Sequence, residues 1–511
     1  MCNHLINIFR KELCNKIYLK FLLWFAILIF AVLSSLRFFY NLGLFMDTIE
    51  HIHASYLIST GLVPYRDFFE HHHPFLWYLI LPIVTLFDRD INIVYIARGI
   101  AISGYFLFLY FFYKIAKQLT HNRNGGRIAV LAFLSISKIW YDIQTLRPDI
   151  FMYISILIAL IYFFDYLDSL KRRYLCYSYF WWLIAFLFLQ KAAIGGIGFV
   201  FANIWLYYNK RIKMADILIA SIFPLLSIIG LLFTLYLTDS LSSWWLYNFT
   251  FNTYVQAYYG NYSSGLSYLP ILSFVFAIFT IRQYRATEKS IIILFIWVCL
   301  ALQLLYFAPH PQYYFLYLTF SILLLAPYLL QLFCNYFLPF MITLVFCLGT
   351  SFSLNYDSYD SKGKVEDMLQ MMEYITQHTP SEDKLQTYPY SYNLFNQDID
   401  YYWFGFNNVV IIADLYLSKG FDYNEVIKKH QPKFITYSDM AMDMLMYQSS
   451  QPLLFRNRLL LQKAAKGDVN SLNKLSNINL DYWNVDMDYI KQHYKLLRSY
   501  DSIQLWERID D

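Results

Sequence analysis

The chain has 511 residues, of which 58% are hydrophobic, 21% aromatic and only 15% charged. Soluble domains are roughly half apolar and about a quarter charged, so this composition excludes an ordinary soluble protein, a disordered chain and a collagen-like one. The formal net charge of +4 conceals a division: residues 1–354 carry 24 Lys+Arg against 14 Asp+Glu, whereas residues 355–511 carry 16 against 22.

A membrane-crossing helix needs about 20 apolar residues, because the hydrocarbon core is about 30 Å thick and a helix rises about 1.5 Å per residue. Lys and Arg mark the cytoplasmic side. At the N-terminus, Arg10, Lys11, Lys16 and Lys20 precede an apolar run from Phe21 to about residue 45 that contains no small-residue cleavage site, which reads as an uncleaved first span. It delivers residues 46–90 to the outer face. Further spans follow over about 91–113, 128–145, 150–168, 174–190, 192–208, 214–238, 266–281, 290–308, 313–333 and 336–353. With about 11 spans, the basic clusters Lys114–Arg127, Lys171–Arg173, Lys210–Lys213 and Arg282–Lys289 all fall on one side. The apolar run Phe75–Phe87, flanked by His73 and Asp88, is too short to span and reads as an interfacial or re-entrant helix of the first outer loop.

The expected architecture is thus a polytopic α-helical membrane protein over 1–354 followed by an extracytoplasmic α/β domain over 355–511. In that tail, strand-like runs (Phe434–Tyr437, Ile503–Trp506) alternate with helical ones (Val365–His378, Asn424–His430). The six cysteines form no CxxC pair and none lies in the tail, which excludes a zinc ribbon and a disulfide framework. Basic residues sit in short clusters between apolar runs, which argues against a nucleic-acid partner.

Five of the eleven histidines, His51, His53, His71, His72 and His73, fall in the first outer loop together with Asp47, Glu50, Asp67 and Glu70. Arg98, Lys138, Arg147, Asp149, Lys191 and His310 lie near the outer ends of spans. Charges near a bilayer are costly and by default face a cavity or one another. Their gathering at one face suits an active site at the outer interface, whereas a proton-coupled transporter would place them at mid-depth on broken helices. A carboxylate there can act as general base, and nearby Lys, Arg or His can neutralise a phosphate leaving group.

Plainer readings stand beside these. Asp47 could simply end the first span, and Asp67 next to Arg66 could be a loop ion pair. Lys191 could snorkel to the interface, and His310 could be an ordinary helix-end residue. Trp244 and Trp245 could stack on a sugar or belong to an interfacial aromatic belt. Glu70 and His72 have the ligand chemistry for a divalent metal, but three adjacent histidines cannot all face one point.

Met46-Asp47, followed by Gly61-Leu-Val-Pro-Tyr-Arg-Asp-Phe-Phe-Glu-His-His-His-Pro74, resembles the first outer loop of the GT-C integral-membrane glycosyltransferases. The likeness is to the bacterial branch akin to protein O-mannosyltransferases and lipid A aminoarabinose transferases. Arg147-Pro-Asp149 is similar to that family's second acidic site, Gln190-Lys191 before Gly195-Gly196 to its lysine motif, and His310-Pro-Gln-Tyr313-Tyr314 to a late His/Tyr motif. Glu70 matches a loop-one glutamate of the aminoarabinose transferases, which Lys-Pro-Pro follows there and His71-His72-His73-Pro74 follows here.

The resemblance implies a sugar transferase (EC 2.4 class) of the bacterial inner membrane, with its N-terminus cytoplasmic. It would use a polyprenyl-phosphate-linked donor, with inversion, and a cell-envelope acceptor: a glycolipid, a glycan or a protein. Asp47 and Asp149 would be the catalytic carboxylates, with Arg66, Asp67, Glu70, His72, His73, Lys191, His310 and Tyr313 around the substrate. The family contains both metal-dependent and metal-free members, so a divalent ion stays open. The alternative is a secondary transporter or flippase for a lipid-linked sugar.

Overall fold

The structure is a computed structural model that describes residues 2–40, 45–136, 145–252, 287–306, 311–356, 362–385, 392–401, 423–437, 486–500 and 503–509. The described residues of the first part are helical: α1 (Cys2–Tyr40), α2 (Phe45–Ser59), α3 (Phe75–Leu86), α4 (Ile93–Thr120), α5 (Arg123–Leu134), α6 (Pro148–Ser169), α7 (Arg172–Phe188), α8 (Ala192–Tyr208), α9 (Met214–Leu237) and α10 (Leu241–Trp245). A π-helical turn, Leu246–Phe251, continues α10. After it come α11 (Glu288–Tyr306), α12 (Pro311–Asn335) and α13 (Phe337–Tyr356).

Six helical stretches among the described residues are long and apolar enough to cross a membrane: Ile17–Leu36, Ile93–Thr120, Pro148–Ser169, Met214–Leu237, Phe315–Asn335 and Phe337–Leu354. The protein is therefore a multi-pass membrane protein. Five of the expected spans do not enter that number: 128–145, 174–190, 192–208, 266–281 and 290–308. The helix of the third ends at Leu134 after 12 residues, about 18 Å by the helical rise, where the apolar run predicts a span to about 145. Residues 137–144 and the eighth expected span, 266–281, lie outside the described residues. The short apolar run of the first loop is a helix, Phe75–Leu86, as its length predicts.

α6 is the hub: 83% of its most apolar window is buried, against 6% for α9. It lies between α4 and α7. Small residues permit close approach. The Gly104 position on α4 faces Ile150 of α6, and the Gly198 position on α8 faces the backbone of α11 at Phe295 and Ile296.

The tail contributes α14 (Lys362–His378), β1 (Lys384–Leu385), β2 (Gln397–Asp398), α15 (Tyr423–His430), β3 (Phe434–Tyr437), α16 (Met487–His493), β4 (Tyr494–Tyr500) and β5 (Ile503–Arg508). β1 and β2 pair in parallel, and β5 lies antiparallel between β3 and β4. The register Phe434↔Glu507 and Tyr437↔Gln504 leaves β3 fully buried. Its run of apolar and β-branched residues is what a strand covered on both faces requires. A single buried apolar cluster runs from Leu19 and Phe30 of α1 through α6 to Met371, Phe395, Phe434 and Leu505 of the tail.

Candidate functional site

Three helix beginnings bring together the ionisable residues of the first loop and of α6 and α8. Asp47 lies in the first turn of α2, where an acid complements the positive end of the helix dipole. Arg147 holds extended backbone (φ −139°, ψ 149°) just ahead of Pro148 at the start of α6. A proline suits that first helical position, since its missing N–H would have no intrahelical partner. Asp149 follows in the first turn of α6, and Lys191 immediately precedes α8.

These four side chains form one ionic chain. The Arg147 guanidinium donates through Nη1 to Asp47 Oδ2, and through Nε to Asp149 Oδ2 at 3.3 Å. Lys191 Nζ donates to Asp149 Oδ1 at 3.3 Å. Asp149 is the most enclosed, with 7% of its side chain exposed, and Asp47 is the most open at 27%. Two acids and two bases balance in formal charge, and the most accessible member is a carboxylate. Burial raises the Asp47 carboxyl above its ordinary range, with the Arg147 charge opposing.

Beneath Asp47 lies a second, buried group. His72 Nδ1 is 3.0 Å from Glu50 Oε1 and 3.9 Å from Glu70 Oε2. Trp77 Nε1 donates to His51 Nδ1 at 3.0 Å, and the His51 ring stands edge-on to His72. Burial depresses the imidazoles: His51 and His72 to about 3, and His71 well below its ordinary value. They are neutral at physiological pH, so the cationic charge of the site belongs to Arg147 and Lys191. Burial, then the Glu50 charge, pushes Glu70 well above the usual carboxylate range.

Ligand atoms of Glu50, Glu70, His71 and His72 all lie within 4.8 Å of one another. Two carboxylates with two neutral imidazoles form a donor set suited to zinc or a similar divalent ion, and Glu70 Oε1 is a buried atom with no hydrogen-bond donor. These residues therefore fit a divalent metal. His73 departs from the group: its Nδ1 donates to the Phe186 carbonyl at 2.7 Å, and its ring stacks on Trp244. Burial lowers it to about 4.

Arg66 and Asp67 pair with each other at 2.7 Å, and Asp67 also accepts from Val63 N–H at 2.7 Å. They staple the turn in which Gly61 (φ 90°) and Tyr65 (φ 68°) take left-handed backbone. Their recorded partners lie within that turn and do not include the ionic chain. His310 and Lys138 lie outside the described residues, and Tyr313 falls in the first turn of α12. Trp244 is buried and Trp245 is 58% exposed, so only the second presents its ring outward.

Sequence reasoning placed Arg147 among the ionisable residues gathered at the outer face but gave it no role, although it joins the two catalytic candidates. The available signal was its place before a proline at a span's outer end. Glu50 and His51 gave no separate signal from their neighbours in the loop.

Fold and site together define a multi-pass membrane protein with a cluster of paired charges where loop one meets the starts of α6 and α8. No protein-family profile matches the chain, and no curated protein matches it. Among solved structures, the crystal structure of ArnT from Cupriavidus metallidurans bound to undecaprenyl phosphate is similar, with a TM-score of 0.56 and 12% identity. The match covers 82% of this chain and 94% of that one. At this identity the likeness is one of fold alone: over the matched region the chain folds as that ArnT structure does.

Proposed function

We propose that the protein transfers a sugar from a polyprenyl-phosphate-linked donor to a cell-envelope acceptor on the outer face of the bacterial inner membrane, with inversion. The carrying observation is the ionic chain Asp47–Arg147–Asp149–Lys191, which ties loop one to the starts of two apolar helices. It stands in a fold shared with a protein whose crystal structure holds undecaprenyl phosphate.

In this reading the Asp47 carboxylate takes the proton of the acceptor hydroxyl or amine as that atom bonds to the anomeric carbon. The bond from the anomeric carbon to the phosphate oxygen breaks, and the polyprenyl phosphate leaves with the electron pair. Arg147 and Lys191 neutralise the charge that develops on the leaving phosphate. A bound phosphate would also compete for Arg147 and so release Asp47 to act as base. Asp149 orients both cations. Glu70, His72 and His73 build the wall of the pocket, with Arg66 and Asp67 fixing its turn, and His310 and Tyr313 complete the substrate site. A divalent ion held by Glu50, Glu70, His71 and His72 would supply further positive charge beside the phosphate. The basic N-terminus is cytoplasmic, eleven spans cross the membrane, and residues 355–511 form an exported α/β domain.

The test compares wild type and Asp47→Asn, each reconstituted with lipid extract of the host, following sugar-linked polyprenyl phosphates by mass spectrometry. Wild type should consume one donor species and release free polyprenyl phosphate, and the mutant should not. If wild type consumes no donor while lipids change leaflet in sealed vesicles, the protein is a transporter.

A further inference from the structure

We propose that Thr48 is a positioning residue: its hydrogen bond to the backbone of Leu146 holds Asp47 in register with the start of α6 while the charges of the site change partners. The proposal rests on the transferase reading for its effect on turnover. The bond itself is argued from geometry alone.

Two consecutive side chains of α2 reach two consecutive residues ahead of α6. Asp47 accepts from the Arg147 guanidinium, and Thr48 Oγ1 accepts from Leu146 N–H at 3.1 Å, across 98 residues of chain. The two contacts differ in kind. The first joins two charged side chains, of which Asp47 is the more open. The second joins a hydroxyl to the main chain, and both Thr48 and Leu146 are buried, at 0% and 1% exposed. In so enclosed a place a backbone N–H that loses its acceptor finds no water in exchange, so the bond is costly to break.

The direction of the bond is also informative. A Ser or Thr hydroxyl on a helix commonly donates to the carbonyl one turn earlier. Ser34, Ser155 and Thr319 do so here, to Phe30 O, Phe151 O and Phe315 O. Thr48 instead presents an acceptor to another element. Further along α2 the bonds lead away from α6: Glu50 meets His72, His51 accepts from Trp77 Nε1, and Ser55 Oγ donates to Trp77 O. Asp47 and Thr48 thus anchor the beginning of α2 to the beginning of α6.

The consequence lies in the exchange of partners that turnover requires. A donor phosphate draws Arg147 toward itself, and the Arg147–Asp47 contact loosens at the moment the carboxylate must meet the acceptor. The Thr48–Leu146 bond carries no formal charge at either end, so a phosphate does not compete for it. It keeps the first turn of α2, and with it Asp47, in place against the backbone of Arg147 throughout. Such placement matters, because a shift of about 1 Å in a reacting group can cost about 10²-fold in rate.

Thr48→Val keeps the shape of the side chain and removes the acceptor, whereas Thr48→Ser keeps the acceptor. Thr48→Ala leaves room for a water at the Leu146 N–H and takes the place of the valine variant if that one does not fold. Amide exchange at Leu146 would be read at single-residue resolution on the full-length protein in nanodiscs, with donor turnover in parallel.

Thr48→Val should lose at least about tenfold in Leu146 protection and about tenfold in kcat, with donor KM within roughly twofold of wild type. Thr48→Ser should stay close to wild type in all three. In an Asp47→Asn background, Thr48→Val should lower turnover no further, because a residue that acts through Asp47 has nothing left to place. Retained Leu146 protection in Thr48→Val, unchanged kcat despite lost protection, or a second loss of the same size in the Asp47→Asn background overturns the proposal. Lost Leu146 protection in Thr48→Val, with a wild type that consumes no donor, supports the clamp and removes the transferase reading instead.

Discussion

Arg147 and Asp47 are joined side chain to side chain although 100 residues of chain separate them. The contact links the first turn of the loop-one helix to the residue that opens α6, and Arg147 also reaches Asp149. One guanidinium thus holds two carboxylates from different elements, a role that the planar fork of arginine fills and lysine does not.

Asp47→Asn should remove the base while leaving the fold intact. Donor consumption by the reconstituted enzyme is expected to drop by about 10²–10⁴-fold. Lys191→Met should lower kcat about 10²-fold, as for a lost stabiliser of developing charge, and weaken inhibition by free polyprenyl phosphate. Unchanged turnover in Asp47→Asn would shift the base to another carboxylate.

The acid limb of the pH–rate profile should report Asp47. Burial raises this carboxyl and Arg147 lowers it, so the ionised base is lost at a higher pH than for an exposed aspartate. Arg147→Gln removes the opposing charge, so the limb should move to still higher pH. A limb that stays in place or moves down in kcat/KM measurements would disconnect Asp47 from the profile.

Stability should depend on pH through the buried histidines. His51 and His72 are held at about 3 and His73 at about 4, whereas unfolded histidines titrate near 6.5. Because the folded values are depressed, the unfolded chain takes up protons first as pH falls. The stability is present above about pH 6.5 and is lost as pH drops toward the folded values. The thermal midpoint in detergent should therefore fall between pH 6.5 and 4, and His72→Gln should make the slope shallower. A midpoint constant from pH 7.5 to 5 would contradict neutral burial of these rings.

Two glycines of α8 should respond oppositely to alanine. A Cβ on Gly198 would meet Ile296 Cα at 2.5 Å and Phe295 O at 2.6 Å, so Gly198→Ala must push α8 off α11. A loss of ~1–3 kcal/mol is expected, visible as a lowered thermal midpoint. Gly196 has nothing within 4 Å of such a Cβ, and Gly196→Ala should be neutral or slightly stabilising.

The membrane character, most helix ends and the strand runs in the tail were legible because they rest on local chemistry. A run of apolar residues such as Met214–Leu237 has few alternatives to a spanning helix, and the expected 214–238 lies within one residue of it. Likewise, Phe434–Tyr437 appears as the strand that its alternation-free apolar run suggests. Of the third expected span, 128–145, the structure describes α5 up to Leu134, and residues 137–144 lie outside the described residues.

Pairing among the charges was not legible. The sequence by itself determined a membrane protein with acids, histidines and cations concentrated at one set of helix ends, since desolvation forbids scattering charge through apolar spans. Only the tertiary structure decided that Arg147, and not Arg66, bridges Asp47 to Asp149. It likewise sent His73 to the Phe186 carbonyl and His53 to Leu394 and Asp398, some 340 residues further along the chain. The reason is that an ion pair or a hydrogen bond is fixed by distance and burial across elements, and residue type alone carries neither.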